Sequence, residues 1–235
     1  MKRFKRKALR QRRQHSAPAR ASAPSGRRER RRAEIRERLF RAALRLFAEK
    51  GFAETTVVDI TEAADVGKGT FFNYFPSKDH ILVAFGDMQL GKLTAAVEQA
   101  RQSSEPMPEF MSRLSRMMTE EPGRNPAIVR LILAGPLSRE PVRSEIREKL
   151  GKGRRLLIEL MSLGQARGEI RRDRAAADLG LAMQQSAFGT LLMWSLTPDE
   201  PLLTRMDNTF SLLWSGMRAQ PETGTPAAAQ ADSES

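Results

Sequence analysis

Residues 55–82, TTVVDITEAADVGKGTFFNYFPSKDHIL, constrain the fold of this chain more than any other stretch. Thr55 or Thr56 can cap a short helix over 57–64, because a threonine oxygen accepts from the free amides of a first helical turn. Val57, Ile60, Ala63 and Ala64 recur at helical spacing and predict its buried stripe. Asp65 and Gly67 interrupt that pattern around Val66, at a point where the chain must turn; glycine tolerates positive φ freely and aspartate less readily. A second short helix is expected over 68–75, closed by Pro76, which cannot supply the next backbone donor. Ser77 can cap a third, with Lys78, Asp79 and His80 in its first turn.

Two short helices joined by a tight turn describe a helix-turn-helix, whose second helix can lie in a DNA major groove. The wording goes further than the shape. Thr55, Thr56, Ile60, Ala64, Val66, Gly69, Thr70, Phe75, Ser77, Lys78 and Leu82 stand where the signature of one known group has the same residues. On these positions the stretch resembles the DNA-binding domain of TetR-type bacterial transcriptional repressors. Four positions depart from the pattern: Thr61 for the usual alanine, Asp65 for glycine, Gly67 for serine and Phe72 for tyrosine. The last removes a hydroxyl that in the family commonly touches a phosphate. The resemblance spans about residues 33–82 and is architectural beyond them.

Within the second helix, Phe71 and Phe75 are four apart and should face the core with Val66. Lys68, Gly69, Thr70 and Asn73 are then the candidates for base edges: lysine and asparagine donate, the threonine methyl suits a thymine methyl, and glycine lets the backbone come close. Tyr74 and Lys78 suit phosphates, with Thr56 at the edge.

The formal charge of +12 belongs to one end of the chain. Residues 1–32 hold 14 of the 40 Lys/Arg and a single acid, Glu29, so the remainder is close to neutral. Residues 1–28, rich in Arg, Ser, Ala and Pro without sustained apolar periodicity, are expected to be a disordered basic tail, able to track phosphates or serve only as solvated sequence. An amphipathic helix follows over 29–50, with Ile35, Leu39, Ala42, Ala43, Leu46 and Phe47 on one stripe and Gly51 as its cap.

Beyond residue 82 the pattern is helical throughout: 78–102, 108–121, 126–137, 141–167 (weakened at Gly151 and Gly153), 174–196 capped by Asp173, and 201–218. The last two are apolar on more than one face and must bury more than one face. A core plus a second copy of the chain would do so, with Ala187 and Gly189 permitting close approach. Residues 221–235 read as a second disordered tail.

The expected architecture is all-α: a helix-turn-helix head over 29–82 and a helical ligand-binding and dimerisation body over 83–220. The body is rich in methionine, which lines adaptable pockets. The resemblance implies a ligand cavity there, and the candidates are Met111, Leu114, Met118, Leu133, Met183 and Phe188, with Arg130 and Gln184 to orient a small apolar effector.

Chemistry of other kinds finds little support. Without cysteine the chain has no thiolate site, and His15 and His80 lie far apart, so no metal or cofactor is expected. GKGT at 67–70 lacks the upstream glycine and the GK[ST] ending of a phosphate loop, and no triad suggests an enzyme. No apolar run reaches the roughly 20 residues that span a bilayer, so a soluble cytoplasmic protein is expected. The resemblance implies a homodimeric, ligand-responsive repressor acting on a palindromic operator. The alternatives are a helical adaptor and a DNA-binding protein without ligand control.

Overall fold

A computed structural model describes residues 23–138 and 140–219, with no side-chain description over 23–25 and 134–141. Most of the two expected tails therefore lies outside the described residues. The described chain forms α1 (Ala23–Glu49), α2 (Val57–Ala63), α3 (Lys68–Phe72), α4 (His80–Gln102), α5 (Met107–Thr119), α6 (Pro126–Ser138), α7 (Glu140–Ala166), α8 (Ala176–Leu196) and α9 (Leu202–Met217). A single 3₁₀ turn, Pro122–Arg124, precedes α6. The fold is all-α; among the described residues the only extended pairing is an isolated antiparallel bridge between Ile170 and Arg218.

Helix α1 begins at Ala23, six residues before the expected start, so 23–28 belong to a helix rather than to the tail. Apolar periodicity marks where a helix packs, not where it stops. Once nucleated on its buried stripe, a helix extends through Arg27 and Arg28 at little cost, and Pro24 falls in the first turn, where its missing donor is not needed. Its C-terminal two-thirds carries Leu39, Ala43, Leu46 and Phe47 into a first core with Phe52, Ile60 of α2, Phe71, Phe75, and Ile81, Leu82 and Phe85 of α4. Ile128 of α6 is buried in the same cluster, with Leu131 and Ile132 packed against it. The head is therefore closed from behind by a helix of the body.

A second core gathers Leu93, Val97 and Ala100 of α4, Met107, Phe110, Met111 and Leu114 of α5, Leu160 and Met161 of α7, Leu179 and Met183 of α8, and Met217 of α9. A third, smaller one joins Val129 of α6, Trp194 of α8, and Leu202 and Met206 of α9. Helix α7 runs unbroken through Gly151 and Gly153. Their cost of about 1 kcal/mol each is offset by the burial of the turns that follow. Gly180 lets α8 approach α7 closely: a Cβ there would stand 2.9 Å from the Ile158 amide nitrogen.

Helix α8 is not capped by Asp173 as expected. Its N-cap is Ala175, without a side-chain hydrogen bond. Asp173 is already engaged, both carboxylate oxygens accepting from Arg171. The far end of the body is stapled by Arg167, which donates to the carbonyls of Ala100, Ser103 and Glu105, and by Glu169, which accepts from the Met107 amide at 2.6 Å.

Candidate nucleic-acid interface

Thr56, not Thr55, caps α2. Its hydroxyl accepts from the Asp59 amide at 3.1 Å, while the Asp59 carboxylate accepts from the Thr56 amide at 2.7 Å. This reciprocal box satisfies amides that a helix start leaves open. Hydrogen bonds from the Thr56 backbone, then from its hydroxyl, hold the Asp59 carboxyl below its ordinary range, helped by Lys50. Thr55 is fully buried and donates to the Gly51 carbonyl at 2.7 Å.

The inward face of α2 differs from the expected stripe at one position. Ile60, Thr61 and Ala64 are buried and Val57 is half-buried, whereas Ala63 is exposed. The residues 57, 60, 61 and 64 follow the i, i+3, i+4, i+7 rule, and Ala63 falls off that line. Thr61 tolerates burial because its hydroxyl donates to the Val58 carbonyl at 3.0 Å.

The left-handed residue of the turn is Asp65, with φ of 51°, while Gly67 has an ordinary φ of −66° and serves as the N-cap of α3. Aspartate is one of the few side chains that adopt this conformation. Arg38 of α1 holds the turn, donating from Nε to the Ala64 carbonyl at 2.9 Å and from Nη2 to the Asp65 carbonyl at 2.6 Å.

Helix α3 is five residues long and ends in a turn at Asn73 rather than continuing to 75. Phe71 and Phe75 are buried and face α1, as their spacing requires. Lys68, Gly69 and Asn73 are exposed, Thr70 is half-buried, and no heavy atom outside the helix lies within 4 Å of a Cβ built at Gly69. Phe72 is 55% exposed, its ring edge-on to Phe71. Its place on the outward face was legible only through the tyrosine that the resemblance puts there. Tyr74 is half-buried, with the Arg32 guanidinium 5.8 Å from its ring centre.

Lys78, expected at a phosphate, turns inward. Its ammonium donates to the carbonyls of Phe52 at 2.7 Å, Ala53 at 3.1 Å and Thr55 at 2.9 Å, and lies 4.5 Å from the Phe52 ring centre. Three bonds use all three of its donors, so Lys78 clamps the α1–α2 loop to the start of α4. Thr56 is at the surface, but its hydroxyl and amide are both committed to the cap.

The eight candidate ligand residues do not converge on one cavity. Met111, Leu114 and Met183 are buried in the second core with Met118 against it, while Leu133 packs on the third. Arg130 is exposed and donates to the Ser195 carbonyl. Gln184 donates to the Leu150 carbonyl at 2.9 Å, and Phe188 is on the outer face of α8. Helical spacing identified apolar faces without saying which neighbour each one meets. An open groove of about 570 Å³ does run between α4 and α7, over Leu90, Val97 and Leu156, and none of the eight lines it.

A short outward helix that follows a capped one, with the turn between them gripped by Arg38, on an all-helical body, defines a helix-turn-helix DNA-binding regulator. Residues 39–85 match the family of bacterial regulatory proteins called tetR. The transcriptional repressor FadR of Thermus thermophilus, solved with lauroyl-CoA, is 30% identical with a TM-score of 0.59, covering 81% of this chain and 98% of that one. The repressor DhaR of Mycobacterium sp. strain GP1 is 28% identical over 163 residues, 65% of this chain and 80% of that protein. Similarity to the uncharacterized regulator YerO of Bacillus subtilis strain 168, 38% identical, is confined to 58 residues, 25% of this chain and 20% of that one. The chain belongs to the TetR family of bacterial transcriptional regulators. No helix among the described residues is long and apolar enough to cross a membrane.

Proposed function

We propose that the protein is a ligand-responsive repressor that binds a palindromic operator as a homodimer, with a DNA-reading head (about 29–82) and an effector-binding, dimerising body (about 83–220). The outward face of α3 carries this reading. Lys68, Gly69, Thr70 and Asn73 face away from the core that holds Phe71 and Phe75 and are offered to base edges, with Tyr74 beside them for the backbone.

The effector proposed is a long-chain acyl thioester, the class of compound with which the Thermus FadR was solved. Its apolar chain is assigned to the second core around Met111, Leu114, Met118 and Met183, where flexible methionines can part to admit it. Arg130, Leu133, Gln184 and Phe188 are left out of this assignment because each is engaged or exposed elsewhere. The effector acts by its differential affinity for two arrangements of the heads, only one of which matches the operator.

The test is selection of bound duplexes from a random pool, followed by titration of the selected duplex with and without lauroyl-CoA. The expected result is an inverted repeat whose binding the thioester weakens, and Thr70→Ala should relax preference at one position of each half-site by about 1–3 kcal/mol. Selected sequences without symmetry would overturn the dimeric operator; unchanged binding would overturn the effector.

A further inference from the structure

The first turns of α1 carry the densest charge among the described residues. Arg27, Arg28, Arg30, Arg31 and Arg32 surround the single acid Glu29, and all six side chains are exposed. Among the described residues none of the five arginines has a carboxylate within ion-pair distance, whereas Arg38 and Arg41 further along the same helix are paired with Asp65 and Glu37. The apolar stripe that buries α1 begins only at Ile35, so these turns extend beyond the head they belong to.

Their direction is set by two ring contacts. Arg32 lies over Tyr74, and Arg36, one turn later, lies over Phe75 with 5.3 Å to the ring centre. Tyr74 directly follows Asn73, the exposed residue that caps the end of α3. Arg28, Arg32 and Arg36 share one line at i, i+4 spacing, so the stripe passes the C-terminal edge of the DNA-reading face and continues outward. At 1.5 Å per residue the helix carries guanidiniums roughly 12 Å from Arg36 to Arg28.

The local electrostatics are unfavourable as they stand. Arg27 with Arg31 and Arg28 with Arg32 are like charges one turn apart, which weakens a helix. The first turn contains no acid to complement the positive end of the helix dipole. A polyanion alongside relieves both. A solvated basic face leaves them in place and also leaves the stripe's alignment with α3 without a reason.

We propose that the arginine-rich turns of α1 are a second DNA-binding surface, which holds the phosphates of duplex flanking the sequence that α3 reads. It rests on the reading of α3 as the DNA-reading helix. The contact adds affinity and salt dependence without base preference, because phosphates are alike in every sequence.

The experiment uses the full-length chain and the Arg28→Gln/Arg31→Gln/Arg32→Gln variant, with the matching Arg→Lys variant as the charge-retaining control. Each is titrated against the selected duplex trimmed to its half-sites and against the same duplex with one helical turn of arbitrary sequence added on each side, over a series of salt concentrations. The flanks should tighten wild-type and Lys-variant binding and steepen their salt slopes, by about 0.9 per phosphate engaged, and leave the Gln variant unaffected. Base preference should be the same in all three. Wild-type binding that ignores the flanks, or a Gln variant that responds to them as the wild type does, overturns the proposal while the reading of α3 stands. Salt-dependent binding by no form of the protein overturns the reading of α3 itself. Should the Gln substitutions unravel the helix start, seen as lost helical circular dichroism, Arg28→Ala/Arg31→Ala/Arg32→Ala, which favours the helix more strongly, takes its place and should likewise ignore the flanks.

Discussion

Lys78 matches the signature, and its contacts commit its ammonium within the fold. Position and charge pointed to a phosphate, but the ammonium is spent on three carbonyls of the α1–α2 loop. Lys78→Ala should therefore act through stability. Charged hydrogen bonds of this kind are worth about 1.5–3 kcal/mol net, and a chain of this size loses about 2–4 °C of melting temperature per kcal/mol. Thermal unfolding should register the loss, while the salt slope of DNA binding in the still-folded protein stays as in wild type. A slope reduced by about one per site, the mark of a lost phosphate contact, would return Lys78 to the interface. The neighbouring turn makes a related point: Asp65 adopts positive φ where the signature has glycine, and Gly67, which could have done so, does not.

At the scale of elements, glycines in similar helical contexts have opposite consequences. Gly180 of α8 faces the backbone of α7, where a Cβ would meet Ile158 at 2.8–3.0 Å. Backbone cannot swing aside as a side-chain end can, so Gly180→Ala should force α7 and α8 apart. The cost of overpacking, about 1–3 kcal/mol, outweighs the gain of about 1 kcal/mol in helix propensity. Gly91 of α4 is exposed and a Cβ there meets nothing within 4 Å. Gly91→Ala should instead stabilise by about 0.5–1 kcal/mol. Chemical denaturation of the two variants checks both signs. Equal effects from both would mean that the α7–α8 contact is looser than the Gly180 geometry requires.

For the whole molecule, the outer faces of α8 and α9 remain to be covered. Leu192, Met193 and Leu196 of α8 are 42%, 57% and 58% exposed, Leu212 of α9 is 76% exposed, and Phe188 continues the α8 stripe one turn away. A contiguous apolar face of this kind marks an interaction surface, and a two-fold contact between copies meets each substitution twice. Leu192→Glu with Leu212→Glu should give a monomer by sedimentation, with weakened operator binding. A dimer that survives both charges would place the subunit contact on another face. The neighbouring Leu213 is the wrong target, since it packs against the second core, and Ala187 faces inward onto the third.

What the sequence determined by itself is the local chemistry: a threonine cap at 55 or 56, a turn within 65–67, the buried pair Phe71 and Phe75, and the helical character of the rest. Each follows from residues within a few positions of one another, where propensity, capping and spacing act. Tertiary structure decided what depends on partners distant in the chain. Arg38 reaches 26 residues onward to the carbonyl of Ala64 just past α2, and Lys78 reaches 26 residues back to Phe52. Arg130 is engaged by Ser195, 65 residues away. Which of two adjacent leucines faces outward, and whether eight apolar and polar candidates meet in one cavity, depend on how helices cross. A period of 3.6 residues defines a face, but only packing assigns that face a neighbour.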